Sequence, residues 1–188
     1  EAVSRVRRWS AMLGAPFQIS VNKSAVEFMD RSVPDAGDFE LDLIQAGGAL
    51  ITVEITEGIM LLDSPTLRHK LDAFQHAGVQ LAIDDFGIGY SSLAMLKNFK
   101  VDFLKIDQTF VKDITVKPDS RIFAEMIVLM AHKLGLKVIA EGVETEEQRQ
   151  WLMQAGCDYA QGFLFSEAID AEHFEQLLLP RQPVHPGP

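Results

Sequence analysis

Leu81–Leu93 reads LAIDDFGIGYSSL. Leu81, Ala82 and Ile83 form an apolar run of the length of a buried strand. Asp84 and Asp85 follow where that strand ends, and then Gly87 and Gly89, which permit a sharply turned loop. Ser91 or Ser92 can cap a helix beginning near Leu93. Neighbouring carboxylates repel, and adjacent side chains on a strand point to opposite faces, but at a strand's end both can reach one mouth. A bound cation is the least costly way to keep both ionised. One Asp can bridge two divalent metals about 3.5–4 Å apart while its neighbour serves one. A polar turn with solvated acids is the other reading of these residues.

Working outward, the same unit recurs. Gly48 precedes ALITV and Glu54, Gly78 precedes VQLAI and Asp84, and Gly135 precedes LKVIA and Glu141, with the acid six residues after the glycine each time. A looser copy runs from Gly156 through CDYA to Gln161. The unit reads as a helix, a glycine at its C-terminus, a buried strand and a polar residue at the strand's end. Two further strands are predicted, Phe17–Val21 leading to Asn22, and Asp102–Ile106 within a stretch ending LKID (Leu104–Asp107). Between the strands lie helical signals. Glu1–Leu13 carries Val3, Val6, Trp9 and Met12 on one side; Ser64 and Pro65 open a helix with Leu67, Leu71 and Phe74. Pro118–Ser120 open another, with Ile122, Met126, Ile127, Met130 and Leu134 as the expected buried stripe, and Thr145 with Gln148 fits a capping box before Trp151 and Leu152. Ser24–Met29 and Phe39–Ala46 read as shorter helical pieces around a loop at Asp30–Asp38.

Strands alternating with helices argue for a parallel sheet. Six strands each deliver a polar or acidic residue at the C-terminal end, at Asn22, Glu54, Asp84, Asp107, Glu141 and Gln161. A doubly wound sheet needs this only near its switch point, whereas in a (β/α)8 barrel every strand end faces one mouth. The expected fold is therefore α/β, a TIM-like (β/α)8 barrel with six strands and their helices in this chain and the first strands lying upstream of Glu1. One domain is expected over 1–179, incomplete at its N-terminus, followed by a Pro-rich tail over 180–188 that reads as disordered or a linker.

The 188 residues carry a net charge of −10, which argues against a nucleic-acid groove, and so against DNA or RNA partners. A phosphate substrate stays open, because divalent metals supply positive charge locally. Arg5, Arg7 and Arg8 read as a solvated helix face. No apolar run is long enough to span a membrane. The lone Cys157 suits a reducing compartment and reads as a packed small hydrophobe. None of the five histidines falls at a strand end. Oxygen ligands without His or Cys indicate Mg²⁺ or Mn²⁺. Lys105 lies two residues before Asp107, so both point into the barrel, where the ammonium can orient a metal-bound water; an ion pair that merely fills the interior is the alternative. Glu57 and Glu144 could reach the same mouth or start the next helices.

ISVNKS at Asn22, VEITE at Glu54, IDDFGIGYSSL, LKID, IAEGVET (Ile139–Thr145) and QGFLFS (Gln161–Ser166) together resemble the bacterial EAL-domain phosphodiesterases, over nearly the whole chain to about Leu179. The resemblance implies hydrolysis of cyclic di-GMP to linear pGpG at a two-metal site. Asn22, Glu54 and Asp84 look like ligands of one metal, with Asp84 bridging to a second held also by Asp85 and Glu141. Lys105 looks like the residue holding the attacking water, and Glu141 like a general base. Glu57 would brace the Asp85–Leu93 loop, through which the family forms homodimers. Asp107, Glu144 and Gln161 look like groups on the substrate side. The Glu-Ala-Leu motif itself is absent here, as is the Arg-Trp pair after it; its Glu would be a further metal ligand on an upstream strand, so this chain alone is expected to be inactive or poorly folded. Lys23 stands where the family has an apolar residue, with little expected effect, and Phe163 replaces the commoner Tyr. Upstream sensory or GGDEF-type domains are implied in the parent protein, with the domain cytoplasmic and the parent open to anchoring at the inner membrane. The competing readings are a cyclic di-GMP receptor without turnover and an unrelated Mg²⁺-dependent barrel lyase, for which no catalytic dyad stands out.

Overall fold

The computed structural model describes residues 1–24, 50–60, 64–88, 96 and 99–178. The expected helices around Ser24–Met29 and Phe39–Ala46, the loop between them, Gly48, the cap at Ser91 or Ser92 and the 180–188 tail lie outside these residues. Helix α1 (Ala2–Leu13) leads into β1 (Ile19–Asn22). Then come β2 (Ile51–Thr56), α2 (Glu57–Met60), α3 (Pro65–His76), β3 (Gln80–Phe86) and β4 (Phe103–Ile106). Helices α4 (Gln108–Lys112) and α5 (Pro118–Lys133), strand β5 (Lys137–Ala140), α6 (Glu146–Gln154), β6 (Tyr159–Ala160) and α7 (Ala171–Leu178) complete the order.

The six strands form one parallel sheet in sequential order, β1 to β6, as successive βα units of a TIM-like barrel demand. The glycine that closes each unit behaves as its spacing predicts: Gly78, Gly135 and Gly156 follow α3, α5 and α6 with φ of 79°, 78° and 86°, a region costly for other residues. Ser64 caps α3 by accepting from Leu67 N, and Thr145 with Gln148 closes the capping box of α6. β2 and β3 run two residues past Glu54 and Asp84, so these acids sit within strands rather than at their last position.

The core lies between the sheet and the helices, where Ile51, Val53, Ile55, Leu81, Ile83, Leu104, Ile106, Val138 and Ala140 are buried. On the side away from the helices the strands present Glu54, Asp84, Lys105 and Glu141, which meet one another. α1 and α7 pack together: Trp9 stacks near Phe17 and Phe174, its Nε1 donates to Glu175 at 3.0 Å, and Arg8 pairs with the same carboxylate.

The buried stripe of α5 differs from its expectation. Ala124, Ile127, Val128 and Ala131 face the core, whereas Ile122, Met126 and Leu134 are 53%, 60% and 43% exposed. The helix is apolar on most sides, so spacing alone does not choose the buried face. The sheet takes the flatter face with alanines and β-branched residues, which lets the helix approach closely. Met12 likewise is exposed although Val6 and Trp9 are buried. Lys23 is buried, with its Nζ 5.6 Å from the centre of the Phe74 ring. No described helix is long and apolar enough to cross a membrane.

Candidate active site

Lys105 is 2% exposed at the centre of the open end of the sheet. Its Nζ contacts Glu54 Oε2 at 2.5 Å, Glu141 Oε1 at 2.6 Å and Asp84 Oδ1 at 2.9 Å. The three carboxylates come from β2, the end of β5 and β3. Burial opposes the charge of Lys105, but the hydrogen bonds to Glu141, Glu54 and Asp84 outweigh it and hold the ammonium above its usual value. Burial pushes the Glu141 carboxyl above the usual glutamate range, against the pull of Lys105. Gln161 Nε2 donates to the same Glu141 at 2.5 Å.

Asp84, Asp85 and Glu141 offer carboxylate oxygens that all lie within 4.8 Å of one another. How two consecutive residues serve one mouth is visible in the backbone. Asp85 has φ of 55°, and the β3–β4 register shifts between Ile83 and Phe86. The bulge and the left-handed residue break the strand's alternation and bring the Asp85 carboxylate round to the side of Asp84. Burial, then the charges of Asp84 and Asp107, push the Asp85 carboxyl above the usual aspartate range. An oxygen-only set in which the Asp84 charge adds to the upward push on Asp85 and Glu141 fits a hard divalent cation.

Around this centre the remaining candidates take distinct places. Asn22 sits beside Glu54 in the β1–β2 register. Glu57, 5% exposed, accepts from Gly87 N at 3.2 Å and so ties α2 to the turn after Asp85. That turn is crowded, since a Cβ at Gly87 would come 2.8 Å from the Phe110 ring. Asp107 is buried and caps α4 by accepting from Thr109 N at 2.7 Å. Glu144 and Gln161 line a pocket of about 310 Å³ shared with Glu141, Gln108 and Phe163. The loop expected to touch a partner copy continues beyond Ile88, outside the described residues.

Sequence reasoning missed Gln108, and it gave Gln148 only its place in the capping box, which the structure bears out. Gln148 is 5% exposed; its Oε1 accepts from Glu144 N and Thr145 N, and its Nε2 donates to Val111 O and Lys112 O. The capping box was its only signal, and nothing local marks Gln108. The described histidines stay clear of the site: His132 pairs with Asp158 and His173 with Asp170. Cys157 is partly buried, and burial pushes its thiol up to about 11, as befits a packing residue.

A parallel sheet of barrel type with an acidic, lysine-centred mouth fits a domain that holds a divalent cation at its strand ends. The family model described as EAL domain matches residues 1–168, and the chain belongs to that family. It is 37% identical over 179 residues to the signaling protein YkoW of Bacillus subtilis, covering 95% of this chain and 22% of the relative. It is 35% identical to the cyclic di-GMP phosphodiesterase PdeR of Escherichia coli, covering 94% of this chain and 26% of the relative. The solved manganese and cyclic di-GMP complex of Klebsiella pneumoniae BlrP1 superposes with a TM-score of 0.76 at 34% identity, over 88% of this chain and 42% of that one. The chain thus spans about a quarter of the length of these curated relatives.

Proposed function

We propose that this chain forms most of the catalytic centre of a cyclic di-GMP phosphodiesterase, cleaving one phosphodiester bond to give linear pGpG. The observation that carries this is the buried Lys105 held by Glu54, Asp84 and Glu141 directly beside the Asp84–Asp85 pair. Asn22, Glu54 and Asp84 would hold one Mg²⁺ or Mn²⁺, and Asp84, Asp85 and Glu141 a second. When bound, such cations neutralise phosphate charge and acidify water. Lys105 orients the attacking water towards phosphorus, in line with the departing 3′ oxygen. Glu141, its pKa raised by burial, takes the proton. Glu57 is a positioning residue acting through Gly87. Asp107, Glu144 and Gln161 shape the substrate side. The greater length of the relatives fits accompanying sensory or GGDEF-type domains, and the lone free Cys157 fits a cytoplasmic setting.

The reading includes a homodimer. Ile122, Phe123, Met126 and Leu129 make an exposed apolar face on α5, each more than half exposed. Phe123 packs on Phe110, which fills the space beside Gly87, so this face adjoins the turn after Asp85.

The test is hydrolysis of cyclic di-GMP by the full-length protein with Mg²⁺, Mn²⁺ or chelator, beside Asp84→Asn and Glu141→Gln. Metal-dependent pGpG production lost in both variants supports the reading. Nucleotide binding without turnover under either metal overturns it in favour of a receptor.

A further inference from the structure

The short helix α4 stands between the two strand ends that supply Asp85 and Glu141. In the sheet β4 lies between β3 and β5, and α4 follows directly on β4. Both neighbouring turns give way to it through a glycine. A Cβ at Gly87, two residues after Asp85, would come 2.8 Å from the Phe110 ring. One at Gly142, next to Glu141, would come 2.6 Å from Gln108 Cβ. Gln108 and Phe110 are two residues apart on a helix, so they point about 200° apart, to opposite sides. Neither turn can move inward without displacing α4. A helix of five residues is not stable by itself, so its position depends on what holds its ends. Asp107 holds the first, where Oδ1 accepts from Thr109 N at 2.7 Å. Gln148 holds the last, where Nε2 donates to Val111 O at 3.3 Å and to Lys112 O at 3.2 Å. The same buried side chain accepts from Glu144 N at 2.7 Å and Thr145 N at 2.9 Å, and so ties α4 to the loop that begins at Glu141.

We propose that α4 is the spacer that sets the separation of Asp85 and Glu141, and that Gln148, acting through α4, is a positioning residue for the second cation. The assignment rests on the two-metal reading above. Asn22, Glu54 and Asp84, given to the first cation, come from β1, β2 and β3, whose pairing runs unbroken through these residues and needs no help from α4. The second cation has no such frame. Asp85 sits where the β3–β4 register shifts, and Glu141 follows β5, two strands away. Their carboxylates reach one point with Asp84 only while both turns rest against α4. Loosening α4 therefore weakens the second cation and spares the first.

The experiment is a Mn²⁺ titration of the full-length protein, read by equilibrium dialysis and paramagnetic resonance at about pH 8, where glutamate is ionised. Wild type is compared with Gln148→Glu, Phe110→Ala and Thr145→Ala. Gln148→Glu keeps the acceptor for Glu144 and Thr145 but turns an oxygen on to the carbonyls of Val111 and Lys112. Phe110→Ala removes the wedge beside Gly87 at a separate point of α4. Thr145→Ala loses the hydroxyl that accepts from Gln148 N, and so weakens the cap of α6 without removing the bonds to α4. In Gln148→Glu and Phe110→Ala the second ion's Kd is expected to rise about tenfold or more, the scale on which outer partners of metal ligands act, while the first stays within about twofold. Thr145→Ala should lower Tm and leave both ions unchanged, which separates positioning from general loss of stability. An unchanged second ion in either Gln148→Glu or Phe110→Ala, or both ions weakened alike, overturns the spacer. Where Gln148→Glu does not fold, Phe110→Ala decides alone. A single ion in wild type overturns the two-metal reading itself, and the spacer with it.

Discussion

Lys105 is the residue on which the electrostatics of the mouth turn. Glu54, Asp84 and Glu141 converge on it, their side chains 6%, 15% and 16% exposed. Removing the ammonium leaves three carboxylates facing one another with little solvent. Breaking a buried ion pair by deleting one partner typically costs about 3–5 kcal/mol. Lys105→Met is therefore expected to lower stability by about 3 kcal/mol in chelator. Mn²⁺ should restore more stability to the variant than it adds to wild type, since a cation replaces the lost charge. Urea unfolding with and without metal reads both effects, and equal stabilities in chelator would contradict the role given to Lys105. Asp85 makes a different kind of contribution. Its positive φ is the kind of strain found where a side chain must be re-aimed, and here the aim is at Asp84 and Glu141.

At the scale of elements, Gln148 joins three parts of the chain. It closes the cap of α6, holds the Glu144 backbone and reaches the last carbonyls of α4. Gln148→Leu orphans several buried groups at once and is expected to cost at least about 2 kcal/mol. Thermal unfolding reads the cost, and a loss no larger than for an exposed α6 residue such as Gln150 would refute the hub. α5 and the turn before β6 are joined by His132 and Asp158, whose carboxylate also accepts from Val138 N. Burial opposes ionisation of Asp158, but the bonds from His132 and Val138 outweigh it and hold the carboxyl below the usual aspartate value. A carboxyl depressed on folding stabilises above its unfolded pKa and loses that contribution as pH falls through the folded value. His132→Ala should therefore cost most stability above about pH 4 and progressively less below it. A cost independent of pH from 3 to 6 would contradict the pairing. Helices, strands and the strand-end acids were legible because each is a local pattern: a cap, a glycine, a short apolar run and an acid at fixed spacing. The buried face of α5 was not, because an almost uniformly apolar helix carries no preferred side. Gln148's partners on α4 lie 36 and 37 residues away, and Lys105 is 51 residues from Glu54. Such pairings depend on strand order and register, which spacing along the chain does not encode.

For the whole molecule, a net charge of −10 means that the proposed anionic substrate needs cations to offset the acids at the mouth. The exposed face of α5 is the other feature with consequences at this scale. Phe123→Asp together with Met126→Asp is expected to convert a dimer of the full-length protein to monomer, as read by analytical ultracentrifugation. A dimer that survives both substitutions would place the interface elsewhere. The proposed phosphodiesterase requires the carboxylates to act as a two-metal centre. The most direct measurement is the number of Mn²⁺ ions bound by the full-length protein, read by equilibrium dialysis or paramagnetic resonance. Two ions at the site in wild type, one after Asp85→Asn and neither held tightly after Asp84→Asn is the predicted result. No saturable Mn²⁺ binding, or binding indifferent to Asp84→Asn, would contradict it.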